Sequence, residues 1–183
     1  MPAPDALHFT EDDEANRLLA SDPFALLVGL ALDQQVTVQT AFAGPLKLKQ
    51  RLGTLDPATL AHADIEPAFR EKPAVHRFPG SMASRVRELA AVVADEYGGD
   101  ASRIWRDARD ADDLRERIAV LPGFGEMKVK ALAAILAKRF DVTAAAALAP
   151  KHPTLGDVDS PQALAEYQSW KRAYKAAQRA KAS

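Results

Sequence analysis

Leu121-Pro122-Gly123-Phe124-Gly125-Glu126-Met127-Lys128-Val129-Lys130-Ala131-Leu132 joins two segments of helical periodicity. Before it, Leu114 and Ile118 stand one helical turn apart and lead into Leu121; after it, Met127, Ala131 and Ile135, with Leu132 and Leu136, repeat at helical spacing. The stretch predicts a hairpin of two helices over residues 114–138. Pro122 stops the first helix, while Gly123 and Gly125 are free to take positive φ and leave the backbone bare. The second helix then starts with unpaired amides and an outward dipole, a setting that favours a phosphate oxygen. Lys128 and Lys130 fall in or near that first turn. Such a loop holds a nucleic-acid backbone without reading bases. A glycine-rich turn between two helices accounts for the same residues with no ligand at all.

The surrounding chain is helical by pattern throughout, and no stretch alternates with period two, so the fold class is all-α. Thr10 with Glu11, Asp12 and Asp13 reads as a cap with acids in the first turn. Asp22-Pro23 opens a helix whose stretch from Phe24 to Leu32 is apolar on every side, the mark of a buried centre. Its stripe runs into Asp33, Gln34 and Gln35, polar groups that serve either as ordinary surface or as the lip of a cleft. Gly44-Pro45 is expected to break the next helix. Arg77-Phe78-Pro79-Gly80-Ser81 reads as a turn, followed by an amphipathic helix through Met82, Val86, Leu89, Val93 and Tyr97 that Gly98-Gly99 closes. Pro150 to Gly156 reads as a loop. Ser160-Pro161 caps a last helix with Leu164, Tyr167, Trp170 and Tyr174 on one face and Lys171, Lys175 and Arg179 on another.

A chain of 183 residues can bury a core as one domain or two small subdomains. With no cysteine it can form neither disulfides nor thiolate metal or iron–sulfur sites. The formal charge of -1 conceals an acidic beginning (Glu11 to Glu14) and a basic end (Lys171 to Lys181). No basic start followed by an apolar run marks a signal peptide, and the longest apolar run is far short of the ~18 residues of a membrane span. The expectation is a protein of the cytoplasm.

Four pieces now stand in a particular order: Leu32-Asp33-Gln34-Gln35 after the buried helix, the start Gly80-Ser81-Met82-Ala83-Ser84-Arg85-Val86, then Glu96-Tyr97-Gly98-Gly99, then Leu121-Pro122-Gly123-Phe124-Gly125. Over residues 23–139 this resembles the helix-hairpin-helix (HhH-GPD) DNA glycosylases of base excision repair, the endonuclease III-like superfamily. The resemblance implies a single module over residues 1–183, with two helical subdomains around a cleft that binds double-stranded DNA and a flipped base. It also implies a monomer without cofactor, although a monovalent cation fits at the hairpin. By the same resemblance Gln35 lies where a side chain enters the vacated base stack, with Gln34 beside it among the DNA-binding residues. Gly80, Ser81 and Met82 lie where a second wedge meets the opposite strand, and Gly123, Phe124, Gly125, Lys128 and Lys130 grip the backbone.

Two departures shape the expected chemistry. Family members that also cut the strand carry a lysine two residues after the second hairpin glycine; here Met127 stands there, so Schiff-base cleavage is not expected. Lys128 is turned about 100° from that direction. The family aspartate that stabilises the oxocarbenium-like sugar follows that lysine by roughly eighteen residues, about five turns if helical. That count reaches Ala145, and no acid. Asp141 falls short and ranks first by proximity; Asp157, Asp159 and Asp33 are the alternatives. The expected function is base removal without strand cleavage. The alternative is a catalytically silent module that recognises distorted DNA.

Overall fold

The computed structural model describes residues 3–183, and its regular elements there are all helical. They are α1 (Asp13–Ser21), α2 (Pro23–Leu32), α3 (Val38–Leu52), α4 (Pro57–His62), α5 (Glu66–Arg70), α6 (Pro79–Tyr97), α7 (Arg103–Arg106), α8 (Ala111–Ala119), α9 (Glu126–Arg139) and α10 (Pro161–Ala182). Two 3-10 turns, Thr143–Ala145 and Leu155–Asp157, separate α9 from α10.

The Asp22 carboxylate accepts hydrogen bonds from the Phe24 and Ala25 amides with Pro23 at the first helical position, so α2 starts where the sequence predicts. Every residue of α2 from Phe24 to Leu32 is buried, as its all-round apolarity requires. α1, α3 and α6 surround it. Substantial helix contacts fall into two groups, α1 to α6 and α7 to α10 with the two 3-10 turns, while one continuous apolar core runs through both. The line where the groups meet passes the end of α2 and the start of α9.

Local expectations failed at three places, each for a packing reason. The cap of α1 is Asp12, whose carboxylate accepts from the Glu14 and Ala15 amides. Thr10 is buried instead, its amide and hydroxyl both bound to Asn16 Oδ1. α3 runs unbroken through Pro45, because Gly44 and Pro45 are packed into the core. A Cβ at Gly44 would lie 2.5 Å from Leu32 Cδ1, so the glycine sets the approach of α3 to α2 and tertiary contact overrides the helix breaker. α6 starts at Pro79, which puts Gly80 and Ser81 inside its first turn and not in a turn before it, while Met82 is helical as its spacing predicts.

Candidate nucleic-acid interface

Leu121 and Phe124 anchor the hairpin between α8 and α9 by burying their side chains in the core. Phe124 is only 4% exposed, so its ring is unavailable to a ligand, in contrast to its expected role. Gly123 has φ +84, the left-handed region glycine tolerates. Gly125 does not: it caps α9 at φ -86 with no side-chain cap bond. Among the described residues the amides of Gly123, Gly125, Glu126 and Met127 have no hydrogen-bond acceptor, whereas those of Lys128 and Val129 are bound to Gly125 O. Gly125, Glu126 and Met127 are open to solvent. Glu126 would oppose an anion at these amides, but its carboxylate is drawn aside to Arg115 at 2.8 Å. The result is a solvent-facing set of bare donors at a helix start.

Polar side chains fasten this hairpin to the end of α2. Arg85 of α6 donates to Gln34 Oε1 at 2.9 Å, and its stem lies across the hairpin, where a Cβ on Gly123 would stand 2.5 Å from Arg85 Cδ. Lys128 turns inward and donates to Ala31 O at 3.1 Å, capping the carbonyl end of α2. Burial lowers its pKa, Asp33 opposes that shift and Arg85 adds to it. Lys128 is therefore a tether between the two helical groups, and Lys130 is the exposed lysine of that turn.

Asp33 sits at the centre. It is half-buried at the C-terminal cap of α2, and its carboxylate makes no hydrogen bond among the described residues. Burial pushes its pKa up, against the charges of Lys171, Lys128 and Lys175. Tyr167 of α10 shares the site; burial and then the Asp33 charge push its hydroxyl up to about 12. α10 is fixed over this side by reciprocal amide bonds between Gln168 and Gln39 at 2.8 and 3.1 Å.

The loop after Asp33 is held in an uncommon shape. Gln35 has φ +57, is exposed, and is backed by Arg77 donating to its carbonyl at 3.4 Å. A non-glycine residue there costs on the order of 1 kcal/mol or more, strain that surrounding structure must maintain. His76 supplies much of that support. Its Nδ1 accepts from the Phe78 amide, so Nε2 carries the proton and donates to the Leu32 and Gln34 carbonyls, both at 3.1 Å.

Burial holds the His76 pKa below the ordinary value, with the Arg77 and Lys128 charges helping and the two carbonyl bonds opposing. The folded chain thus prefers neutral His76 and the unfolded chain takes up the proton first. Stability is full above about pH 6.5 and falls as pH drops below it, by at most about 1.4 kcal/mol per pH unit. Urea midpoints followed from neutral to mildly acid pH should show that slope, and His76→Ala should remove its share.

Not every expected site residue gathers here. Met82 is 4% exposed and belongs to the core, as the first member of a helical stripe. Ser81 is exposed, and a Cβ on Gly80 would touch the Glu66 and Arg70 side chains. The exposed apolar group at the start of α6 is Phe78, 40% exposed, with Arg77 over its ring at 5.0 Å. Asp141 lies beyond the far end of α9, whose 14 residues put it about 20 Å from the hairpin. Asp157 is engaged by Lys138 at 2.8 Å and in a capping box with Thr154. Asp159 is exposed just before α10. The chain reaches it by turning back along α9, with Thr154 near Lys138 and Gly156 against Ala134 and Ile135. Arg77, Phe78, His76 and Arg85 escaped the sequence reading; the only signal was that Arg85 interrupts the edge of an apolar stripe.

Two concavities, of about 330 and 410 Å³, share Lys49 and Gly53 and are lined by none of the hairpin residues. Among the described residues no group of three His, Cys, Asp or Glu side chains is placed to hold a metal, and no single helix is long and apolar enough to cross a membrane. No family model, curated protein or solved structure matches the chain.

Proposed function

We propose that this protein is a helix-hairpin-helix DNA glycosylase that hydrolyses the N-glycosidic bond of a damaged or mispaired base in double-stranded DNA without cutting the strand. One observation carries the reading: bare, solvent-facing amides open α9, whose Lys128 reaches the carbonyl end of α2, and there half-buried Asp33 makes no hydrogen bond among the described residues. In this mechanism the amides of Gly125, Glu126 and Met127 hold a phosphate, and Arg77, Arg85 and Lys130 supply further positive charge. Gln35, already strained outward, enters the gap left by the flipped nucleotide, and Phe78 props the neighbouring stack. Asp33 stabilises the positive charge developing on the sugar as the base departs and accepts a proton from the attacking water, which then passes to the base. Met127 is 85% exposed and offers no amine, so water and not a Schiff-base amine takes the sugar C1′ as the base leaves, and the sugar stays in the strand.

A second reading, a binding module without base release, is favoured by Asp141, which lies beyond the far end of α9, and by Asp157, which is engaged by Lys138. The deciding test is incubation of the whole chain with duplexes carrying uracil, hypoxanthine, alkylated or oxidised bases, scoring free base and nicks separately. Base loss from at least one duplex, with no nick until alkali is added, is the expected result. Binding with no base loss from any of them favours the silent module, and indifference to all duplexes at low salt removes both readings.

A further inference from the structure

We infer that the outer half of α10 is a second contact for the same duplex, a basic rail that holds the phosphates flanking the cleft; this rests on the nucleic-acid reading above. α10 packs on the body only through its first half. From Arg172 to Ser183 every residue is exposed, so about three turns of helix project without protein neighbours to bury them. Alanines at 173, 176, 177, 180 and 182 keep that projection helical, because alanine has the highest intrinsic helix propensity.

The charges on this projection are one-signed and aligned. No acidic side chain follows Glu166, whereas Lys171, Arg172, Lys175, Arg179 and Lys181 are all basic. At 100° per residue Lys171, Arg172, Lys175 and Arg179 fall within about 100° of the circumference and span about 12 Å of helix. The inner end of that stripe is fixed beside the proposed site by the paired amides of Gln168 and Gln39 at 2.8 and 3.1 Å, and the Lys171 and Lys175 charges reach Asp33 from there. A strand gripped at the hairpin therefore meets a continuous row of cations as it leaves the cleft.

The neighbouring face cannot serve an apolar partner equally well, because its rings are already stacked on one another. Trp170 and Tyr174 lie 5.2 Å apart, and His152 stacks on Trp170 at 5.4 Å. A membrane surface is the other anionic occupant of a basic helix, but it needs large side chains to insert. The remaining positions of the projection are mostly alanine. A polyanion that demands only charge, namely the DNA backbone, fits both facts.

The test compares the whole chain with its Arg172→Gln/Arg179→Gln variant, whose two residues do not act on Asp33. Duplex affinity is measured across a salt series, with phosphatidylserine vesicles as a parallel probe. Loss of two phosphate contacts makes the log–log salt slope shallower by about 2 and weakens binding severalfold at low salt. Glutamine preserves the helix, and a second measurement needs no variant: the wild-type slope on a long duplex must exceed that on one trimmed to the hairpin's footprint. Equal slopes in both comparisons, with binding still lost on changing Gly125 and Lys130, overturn the rail and leave the glycosylase reading intact. Vesicle binding lost in the variant while duplex binding is unchanged assigns the stripe to a membrane and also overturns it. No duplex binding by the wild type at low salt overturns both.

Discussion

Asp33→Asn is expected to slow base release by about 10²- to 10⁴-fold while making the folded chain more stable. The two effects have one origin. Burial at the end of α2 raises the Asp33 pKa even though three lysines act on it, so the folded chain disfavours its charge relative to the unfolded chain. A group with a raised folded pKa contributes most to stability below the ordinary carboxylate range and loses that contribution as pH rises through the folded value. Asparagine removes the penalty at neutral pH and keeps the shape, so the variant should unfold at higher denaturant than the wild type. The gain should shrink as pH falls below about 4, where the wild-type carboxyl is protonated in both states. DNA binding should hold or tighten, since a negative charge has left the cleft. Single-turnover base release, urea midpoints at two pH values and duplex affinity read these outcomes separately. A variant less stable than the wild type would make Asp33 a structural ion-pair partner of Lys128 and remove it from the chemistry. If Asp159→Asn abolishes base release and Asp33→Asn does not, the reacting carboxylate comes from the segment that returns along α9.

That rivalry between carboxylates shows what the sequence could not convey. Helix positions were legible because apolar spacing and caps are local: α2 opens at Asp22-Pro23 and α10 at Ser160-Pro161, each with the cap bond its residues predict. The hairpin was legible for the same reason, down to the positive φ of Gly123. Ranking acids by distance along the chain failed for Asp141, because α9 carries it away from the hairpin and only later residues return. Asp33 gained its place through burial and through lysines more than ninety residues away, which no spacing rule contains. Met82 is buried because it opens the apolar stripe of α6, which outweighs the wedge role that the resemblance implies, and Phe78, just before the helix, is the apolar side chain left outside.

Gly156→Ala is expected to destabilise the chain by about 3 kcal/mol and lower its melting temperature by roughly 10 °C, the largest stability effect of any glycine substitution named here. Gly156 is buried where the returning segment crosses α9, and a Cβ on it would lie 2.3 Å from Ala134 O, 2.6 Å from Ala134 C and 3.1 Å from Ile135 N. Those are backbone atoms in the middle of a helix, so no rotamer change relieves the clash; either α9 or the returning segment must move. Displacement of that segment would strain the Thr154–Asp157 capping box and the Lys138–Asp157 pair, and with them the base of α10. The variant should therefore also lose part of the salt dependence assigned to the α10 stripe. Gly125→Ala supplies the contrast. Its Cβ meets no atom within 4 Å and its φ is ordinary, so stability should change by less than about 1 kcal/mol. The added methyl stands among the bare amides, so duplex binding should weaken while the melting temperature holds. Thermal melts and duplex titrations of the two variants separate the glycine packed against α9 from the glycine at the open end of the hairpin. A Gly156→Ala protein with an unchanged midpoint would mean that the returning segment does not press on α9, and the path from α9 to α10 would have to be redrawn.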